Sequence, residues 1–421
     1  QQRNTGFLLD IKKSMSLVAM FETKLYELEE EVQKEFHGTV ETQILTHRYK
    51  ADGKISRAAK DQHGNGVRLR DAEYEKFIMY KNPKPVIRET ITEFNLGSRK
   101  QIGEHLVRFG WKPRKFTPTG LPAIDEGILK KVKGIPQAAL IANYLMIQKR
   151  LAQVRSWLKE LNEDTGRVHG YVNPNGAVTG RMTHSHPNMA QIPSSSSPYG
   201  KECRSCWIVP ENYKLVGIDA SGLELRMLAH YLDDEGYTNE ILNGDIHTAN
   251  QKLAGLQSRD QAKTFIYALL YGAGDAKLGT VAGRGREAGK RLRQSFFDNL
   301  PSFKTLTGRV QREAAEGYVK GLDGRKLTVR SAHAALNTLL QGAGAIIMKQ
   351  AMILLDGKLK YLDAKFVANV HDEWQIECHE SVADQVGKLG VEAIIEAGKL
   401  LNLNCPLDGD YNVGNNWSET H

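Results

Sequence analysis

Cysteine is scarce in this chain, with 4 among 421 residues. Cys203 and Cys206 form a single C-R-S-C, and Cys378 and Cys405 stand alone. A lone C-x-x-C is half of a zinc site, and no second pair or nearby His pair completes it. Reduced, partly buried thiols in a cytosolic protein are the better reading. No run of 18 apolar residues occurs, so no membrane span is expected. There is no signal peptide. Gly283, Gly285 and Gly289 lack a preceding strand, which excludes the dinucleotide fingerprint. No internal repeat is present. The first residue is Gln1 rather than Met, as expected of a processed or cut chain. Acidic residues are the minority charge: 49 Asp and Glu against 57 Lys and Arg give a net charge of +8 and a pI near 9.1. That balance excludes an acidic disordered protein and suggests an anionic partner. What remains is ordinary globular composition, 41% hydrophobic and 25% charged, long enough for two or three domains.

Leu9, Ile11, Met15, Leu17, Val18, Phe21, Leu25, Leu28 and Val32 recur at helical spacing and predict one long amphipathic helix over 9–36. Residues 37–90 are polar and rich in Lys, Arg, Gly and Asp. Between 44 and 60, Arg48, Lys50, Lys54, Arg57 and Lys60 stand against Asp52 alone. This stretch reads either as a solvated linker or as an excursion from a helical scaffold. Residues 94–116 interleave Trp111 and Phe116 with Arg99, Lys100, Arg108, Lys112, Arg114 and Lys115. Rings stack on bases and cations meet phosphates, so the mixture is compatible with nucleic acid, although a solvated helix face has a similar composition. A helix is expected over 137–161 and a loop over 194–198. An apolar strand from Lys214 to Ile218 ends at Asp219. Residues 223–350 are mostly helical, with glycine-rich breaks near 272–274 and 283–289. Phe366 to Val370 and Trp374 to Cys378 form a hairpin whose tip is His371-Asp372-Glu373.

Asp219 and Asp372 thus sit at strand ends, with rigid backbone behind them and solvent in front. Brought together they repel unless they share cations, and two divalent ions roughly 3.5–4 Å apart clamp an in-line phosphoryl displacement. Mg²⁺ suits such a site because it takes one or two carboxylates plus phosphate and water. Either Asp alone reads equally as a turn or cap residue. A phosphate site is offered by residues 258–271. Ser258 and Gln261 fit a capping box, so a helix is expected to start at Arg259. Arg259, Lys263, Tyr267 and Tyr271 follow at intervals of four on one broad stripe. A cation in the first turn opposes the helix dipole, which suggests a functional reason for Arg259. The helix N-terminus with two cations suits a triphosphate, and Tyr267 offers a ring for a base or sugar. A solvated basic face with two core tyrosines fits the same spacing.

Three ordered segments resemble family A (DNA polymerase I type) polymerases. Asp219-Ala220-Ser221-Gly222-Leu223-Glu224-Leu225-Arg226 resembles their motif A, the R-x-x-x-K-x-x-x-Y-x-x-x-Y-G of Arg259 to Gly272 resembles motif B, and Val370-His371-Asp372-Glu373 resembles motif C. Further likeness lies in Phe94 to Ser98, Val172 to Arg181, Pro187 to Pro193 and Ala334 to Ala345. Gly244-Asp245-Ile246-His247-Thr248, Tyr267 and Gly414-Asn415-Asn416-Trp417 are most similar to replicative polymerases of short-tailed phages. The resemblance implies an α+β right-hand polymerase fold: a helical thumb over 1–155 with the insertion at 37–90, an antiparallel β-sheet palm over 156–235 and 331–421, and helical fingers over 236–330.

The implied chemistry is template-directed addition of deoxynucleotides (dNTPs) to a primer 3′ end. By resemblance, two Mg²⁺ ions bind Asp219, Asp372 and the Ala220 carbonyl, with Glu373 supporting the site. Arg259, Lys263 and His247 hold the triphosphate, Lys263 also serving catalysis, and Tyr271 lies near the template base. Arg181, Asn337, Gln341 and His371 contact the primer–template DNA. Glu224 packed against Tyr267 fills the space of a ribose 2′-hydroxyl, and the Tyr267 hydroxyl can substitute for a missing 3′-hydroxyl. The excursion at 37–90 falls where phage relatives carry a thumb insertion for a processivity partner, and its charge suggests a basic flap on duplex DNA. The early Asp71-Ala72-Glu73 lies in a charged stretch and reads as a surface helix or loop. The chain is therefore expected to lack proofreading and 5′-nuclease activity. The expected setting is cytoplasmic, in a bacterial host. Among rivals, a single-subunit RNA polymerase is opposed by Glu224 and the R-x-x-x-K spacing. A metal-dependent nuclease has no need of a triphosphate helix. Intact Asp219, Asp372, Lys263 and Arg259 argue against a binding protein with a dead site.

Overall fold

The computed structural model describes residues 2–36 and 38–421. The chain divides into two compact units, residues 18–152 and residues 1–17 with 153–421. The first seventeen residues group with 153–421. The reason is local: the strand Phe7–Leu9 pairs with Trp207–Ile208 on one side and Arg167–Val168 on the other. Phe7 is buried against Trp207 and Trp417, with ring centroids 5.3 and 5.8 Å away.

In the 18–152 unit, the part of the helix Ile11–Gln33 that follows Leu17 buries Phe21, Leu28 and Val32 on one stripe, as the periodicity predicts. The 38–92 segment is not a solvated linker. Strand Thr39–Leu45 pairs along its length with Val86–Thr92, and Ala58–Lys60 pairs with Gly66–Arg68. Leu45, Ala59, Leu69 and Phe77 close a small core of their own. Asp71 and Glu73 lie on the helix Asp71–Ile78. Arg57 pairs with Asp71. Glu73 is buried, and its carboxylate accepts from Arg88 Nε at 2.7 Å. That hydrogen bond, aided by the Arg70 amide, holds the Glu73 carboxyl down at about 2.

The larger unit is α+β. Its sheet runs Ala364–Val370, Glu373–His379, Tyr213–Ala220, Gly409–Gly414, antiparallel throughout. Leu215, Val216 and Ile218 are fully buried because both faces are covered. The helix Ala383–Leu400 lies so close that a Cβ at Gly390 meets Ile218 at 2.3 Å and one at Gly387 meets Tyr411 at 2.1 Å. The helix Ala335–Leu359 is long and apolar enough to cross a membrane by length and composition, although no uninterrupted apolar run announces it. Its apolar character serves the core, where Leu336, Leu339, Leu340, Ile347, Ala351 and Leu355 are buried.

Between 223 and 315 the chain is helical, as expected, including Ile246–Ala254 and Arg259–Leu270. A short hairpin, Tyr318–Lys320 with Lys326–Thr328, interrupts it. Gly279 and Gly289 serve close packing, where a Cβ would meet the Gly285 carbonyl oxygen at 2.1 Å and the Asp275 carbonyl oxygen at 1.8 Å, whereas Gly283 turns the chain at φ 67°. All four cysteines are buried free thiols.

Candidate polymerase site

The acids lie on a cross-strand row. Asp219 stands directly opposite Glu373 on one neighbouring strand and Asp410 on the other, and Asp372 is one residue beyond Glu373. Like charges opposite one another destabilise a sheet, so this row asks for cations. Asp219 is open to solvent at the strand end. Partial desolvation against the sheet, then the Asp372 and Glu373 charges, push its acid up to about 7. His371 turns the hairpin in the left-handed region at φ 57°, a strained conformation for a residue with a Cβ, and so aims the tip that carries Asp372. The Ala220 amide donates to the Asp372 carbonyl at 3.1 Å, tying the two acid-bearing segments together.

Glu373 differs from its neighbours. It accepts from Trp417 Nε1 at 2.5 Å and Gln375 Nε2 at 2.6 Å, pairs with His421 at 2.7 Å, and has Arg204 at 3.7 Å. Burial alone raises its pKa, but the His421 hydrogen bond and charge, with Arg204, bring it below the usual value. Both its oxygens face protein donors. Sequence reasoning named Glu373 but missed Arg204, Trp417 and His421 as its partners. The terminal Gly-Asn-Asn-Trp string was the available signal for Trp417.

The cationic helix begins as expected. Ser258 caps it by accepting from the Gln261 amide at 3.2 Å, a contact worth about 1 kcal/mol. Arg259 and Lys263 are exposed and Tyr267 half-buried. The His247 ring lies 6.4 Å from that of Tyr267. Burial, then the Arg259 and Lys263 charges, lower the His247 pKa and keep its ring neutral. Arg259 is not free: its Nε donates to Asp245 at 2.6 Å.

One cavity of about 290 Å³ gathers Arg181, Glu224, Tyr271, Leu340, His371 and Asp372. The hydrogen bond to Glu224 comes from Tyr271 at 3.0 Å, not from Tyr267. Burial, then the Glu224 charge, push the Tyr271 hydroxyl up to about 12. Burial likewise raises Glu224 and Tyr267. His371 is lowered by desolvation and by Arg181. Asn337 and Gln341 sit on the helix Ala335–Leu359 beside Leu340. Glu224 Oε1, His247 Nδ1 and Asn337 Oδ1 are buried without a protein partner, the mark of positions left for a ligand. Among the described residues, no three His, Cys, Asp or Glu side chains converge on a metal site.

The chain is 45% identical over 372 residues to the DNA-directed DNA polymerase of Enterobacteria phage T3, covering 78% of this chain and 53% of that protein. The same values hold for the enzyme of Escherichia phage T7. DNA polymerase I of Pseudomonas aeruginosa is 31% identical over 358 residues, 78% of this chain and 39% of that protein. The chain thus spans about half the length of the phage relatives. The POL domain of Pol1 from M. smegmatis, solved in complex with DNA primer-template and dNTP, shares the fold at a TM-score of 0.79 and 21% identity, over 99% of this chain and 68% of that one. Residues 76–419 match the sequence model of DNA polymerase family A, and the chain belongs to that family.

Proposed function

We propose that the chain is a template-directed DNA polymerase that extends a primer 3′ end with deoxynucleotides. The observation that carries this is that two acids of the row, Asp219 and Asp372, are left without a cation while a separate helix carries two exposed ones. Among the described residues, neither Asp219 nor Asp372 has an ion-pair partner, while Arg259 and Lys263 lie on the helix Arg259–Leu270, at whose end Tyr271 donates to Glu224 in the cavity that Asp372 also lines. Two side-chain carboxylates with the Ala220 carbonyl leave the rest of a coordination shell to water and phosphate oxygens, which fits Mg²⁺. Asp219, Asp372 and Ala220 would hold the ions, which when bound neutralise charge on the attacking and leaving oxygens.

The chain's own groups do the rest. Arg259, Lys263 and His247 bind the phosphates, and the neutral His247 ring is free to accept or donate at Nδ1. The Lys263 ammonium would neutralise the charge that develops on the departing pyrophosphate. Glu224, held by Tyr271, narrows the sugar pocket and favours deoxynucleotides. Arg181, Asn337, Gln341 and His371 line the primer–template side, where minor-groove acceptors are common to all base pairs. We include in the proposal that residues 1–421 supply no proofreading, since Asp71 and Glu73 are occupied by Arg57 and Arg88. The exposed Arg48, Lys50 and Lys60 of the 38–92 segment support a flap on duplex DNA.

The test is to incubate a primed template with the chain and Mg²⁺, with and without dNTPs. The expected result is extension only with dNTPs, far weaker extension with ribonucleotides, and no shortening of a mismatched primer. Cleavage or binding alone contradicts the proposal.

A further inference from the structure

Asp245 joins two helices that carry the nucleotide-facing groups. It is the N-cap of Ile246–Ala254, with Oδ1 accepting from the His247 amide at 3.1 Å. Its Oδ2 accepts from the Thr248 hydroxyl at 2.9 Å and from Arg259 Nε at 2.6 Å. Arg259 in turn opens the helix that carries Lys263 and Tyr267. One carboxylate therefore fixes the first turn bearing His247 and the first turn bearing Arg259.

Two physical points give this arrangement a purpose. A guanidinium bonded through Nε keeps both terminal nitrogens for a second anion. A cation in the first helical turn is disfavoured by the dipole, so a fixed carboxylate is needed to hold Arg259 there. Against this, a carboxylate beside a triphosphate site repels the substrate, and it is tolerable only if its orienting effect outweighs the repulsion. The Arg259 hydrogen bond, then Thr248, hold the Asp245 carboxyl well below the usual range, so it stays charged at any working pH.

Resting on the nucleotide-binding reading above, we propose that Asp245 is a positioning residue of the triphosphate site. It holds Arg259 by its Nε and the His247 turn by its cap before the nucleotide arrives, which removes ordering cost from binding.

The decisive variant is Asp245→Asn. Asparagine caps a helix about as well as aspartate, so the helix start survives while the charged bond to Arg259 is lost. In single-nucleotide incorporation on a primed template with Mg²⁺, the expected KM for dNTP rises roughly tenfold while kcat changes by less than about twofold. Thermal melting should move little. Arg259→Lys, which lacks the fork, should raise KM to a similar degree. In an Arg259→Ala background, Asp245→Asn should add almost nothing, because the two residues act as one unit. A KM for Asp245→Asn that is unchanged or lower, while Arg259→Ala raises it, overturns the inference and leaves the nucleotide-binding reading standing. Equal effects of Asp245→Asn in both backgrounds also overturn it, since they reduce Asp245 to a helix start. If Arg259→Ala itself leaves KM unchanged, the reading of the site fails and this inference with it.

Discussion

Glu73 and Asp219 are two carboxylates of one chain in opposite electrical situations. Glu73, in the 18–152 unit, is enclosed with Arg88, and its acid is held down at about 2. Asp219, in the larger unit, faces Glu373 and Asp410 across the sheet, and its acid is pushed up to about 7. The first site is complete as a protein structure. The second lacks positive charge. The same contrast extends to other polar groups: Asp71 and Glu73 are paired with arginines, whereas Glu224 Oε1, His247 Nδ1 and Asn337 Oδ1 are buried and unpartnered. At the cavity lined by Glu224 and Asp372, such unsatisfied groups add to the unpaired acids as positions a ligand can complete.

The contrast can be broken from the closed side first. Arg88→Ala leaves Glu73 charged and enclosed without its partner, and should cost the 18–152 unit about 3 kcal/mol, read by chemical denaturation with a probe in that unit. The same pair sets a pH signature. The Glu73 acid lies below its unfolded value near 4.5, so its contribution is fully present above pH 4.5 and is lost as pH falls toward about 2. Arg88→Ala should abolish that acid-linked loss while nucleotide KM in the larger unit stays put. If the variant is as stable as the parent, the pair is not the anchor described here.

A smaller effect sharpens the open side. Tyr267 is half-buried, and among the described hydrogen bonds its hydroxyl has no protein partner. A free hydroxyl there can stand in for the missing 3′-hydroxyl of a dideoxynucleotide. Tyr267→Phe should therefore reduce dideoxynucleotide incorporation relative to the normal nucleotide by about tenfold, the worth of one hydrogen bond. Equal incorporation by both enzymes removes that role.

Much of this was legible along the chain because the signals were local. Asp219 ends an apolar strand, Asp372 sits at a hairpin tip, and Ser258 with Gln261 announces the cationic helix. Contacts remote in sequence were not legible. Arg204, Trp417 and His421 reach Glu373 from far along the chain, and Asp245 meets Arg259 across two helices. The Tyr271 hydrogen bond to Glu224 was likewise not legible, because spacing puts Tyr267 and Tyr271 on one stripe and does not say which hydroxyl reaches a carboxylate 47 residues away. The 38–92 segment hid its order because its inner strands are three residues long and its core rests on four side chains, too few to leave a period. The strand Phe7–Leu9 was not legible, because three apolar residues leave no period and its partners lie about 160 and 200 residues away.

The central claim is that the two acids are left unpaired to serve a phosphoryl transfer. It is tested most directly by Mg²⁺-dependent primer extension with the parent chain, Asp219→Asn and Asp372→Asn, each shown to be folded by thermal melting. The account predicts extension by the parent and a loss of at least roughly a thousandfold in each variant, with melting temperatures no lower than the parent's in the absence of metal. A folded variant of either residue that extends within about tenfold of the parent contradicts it.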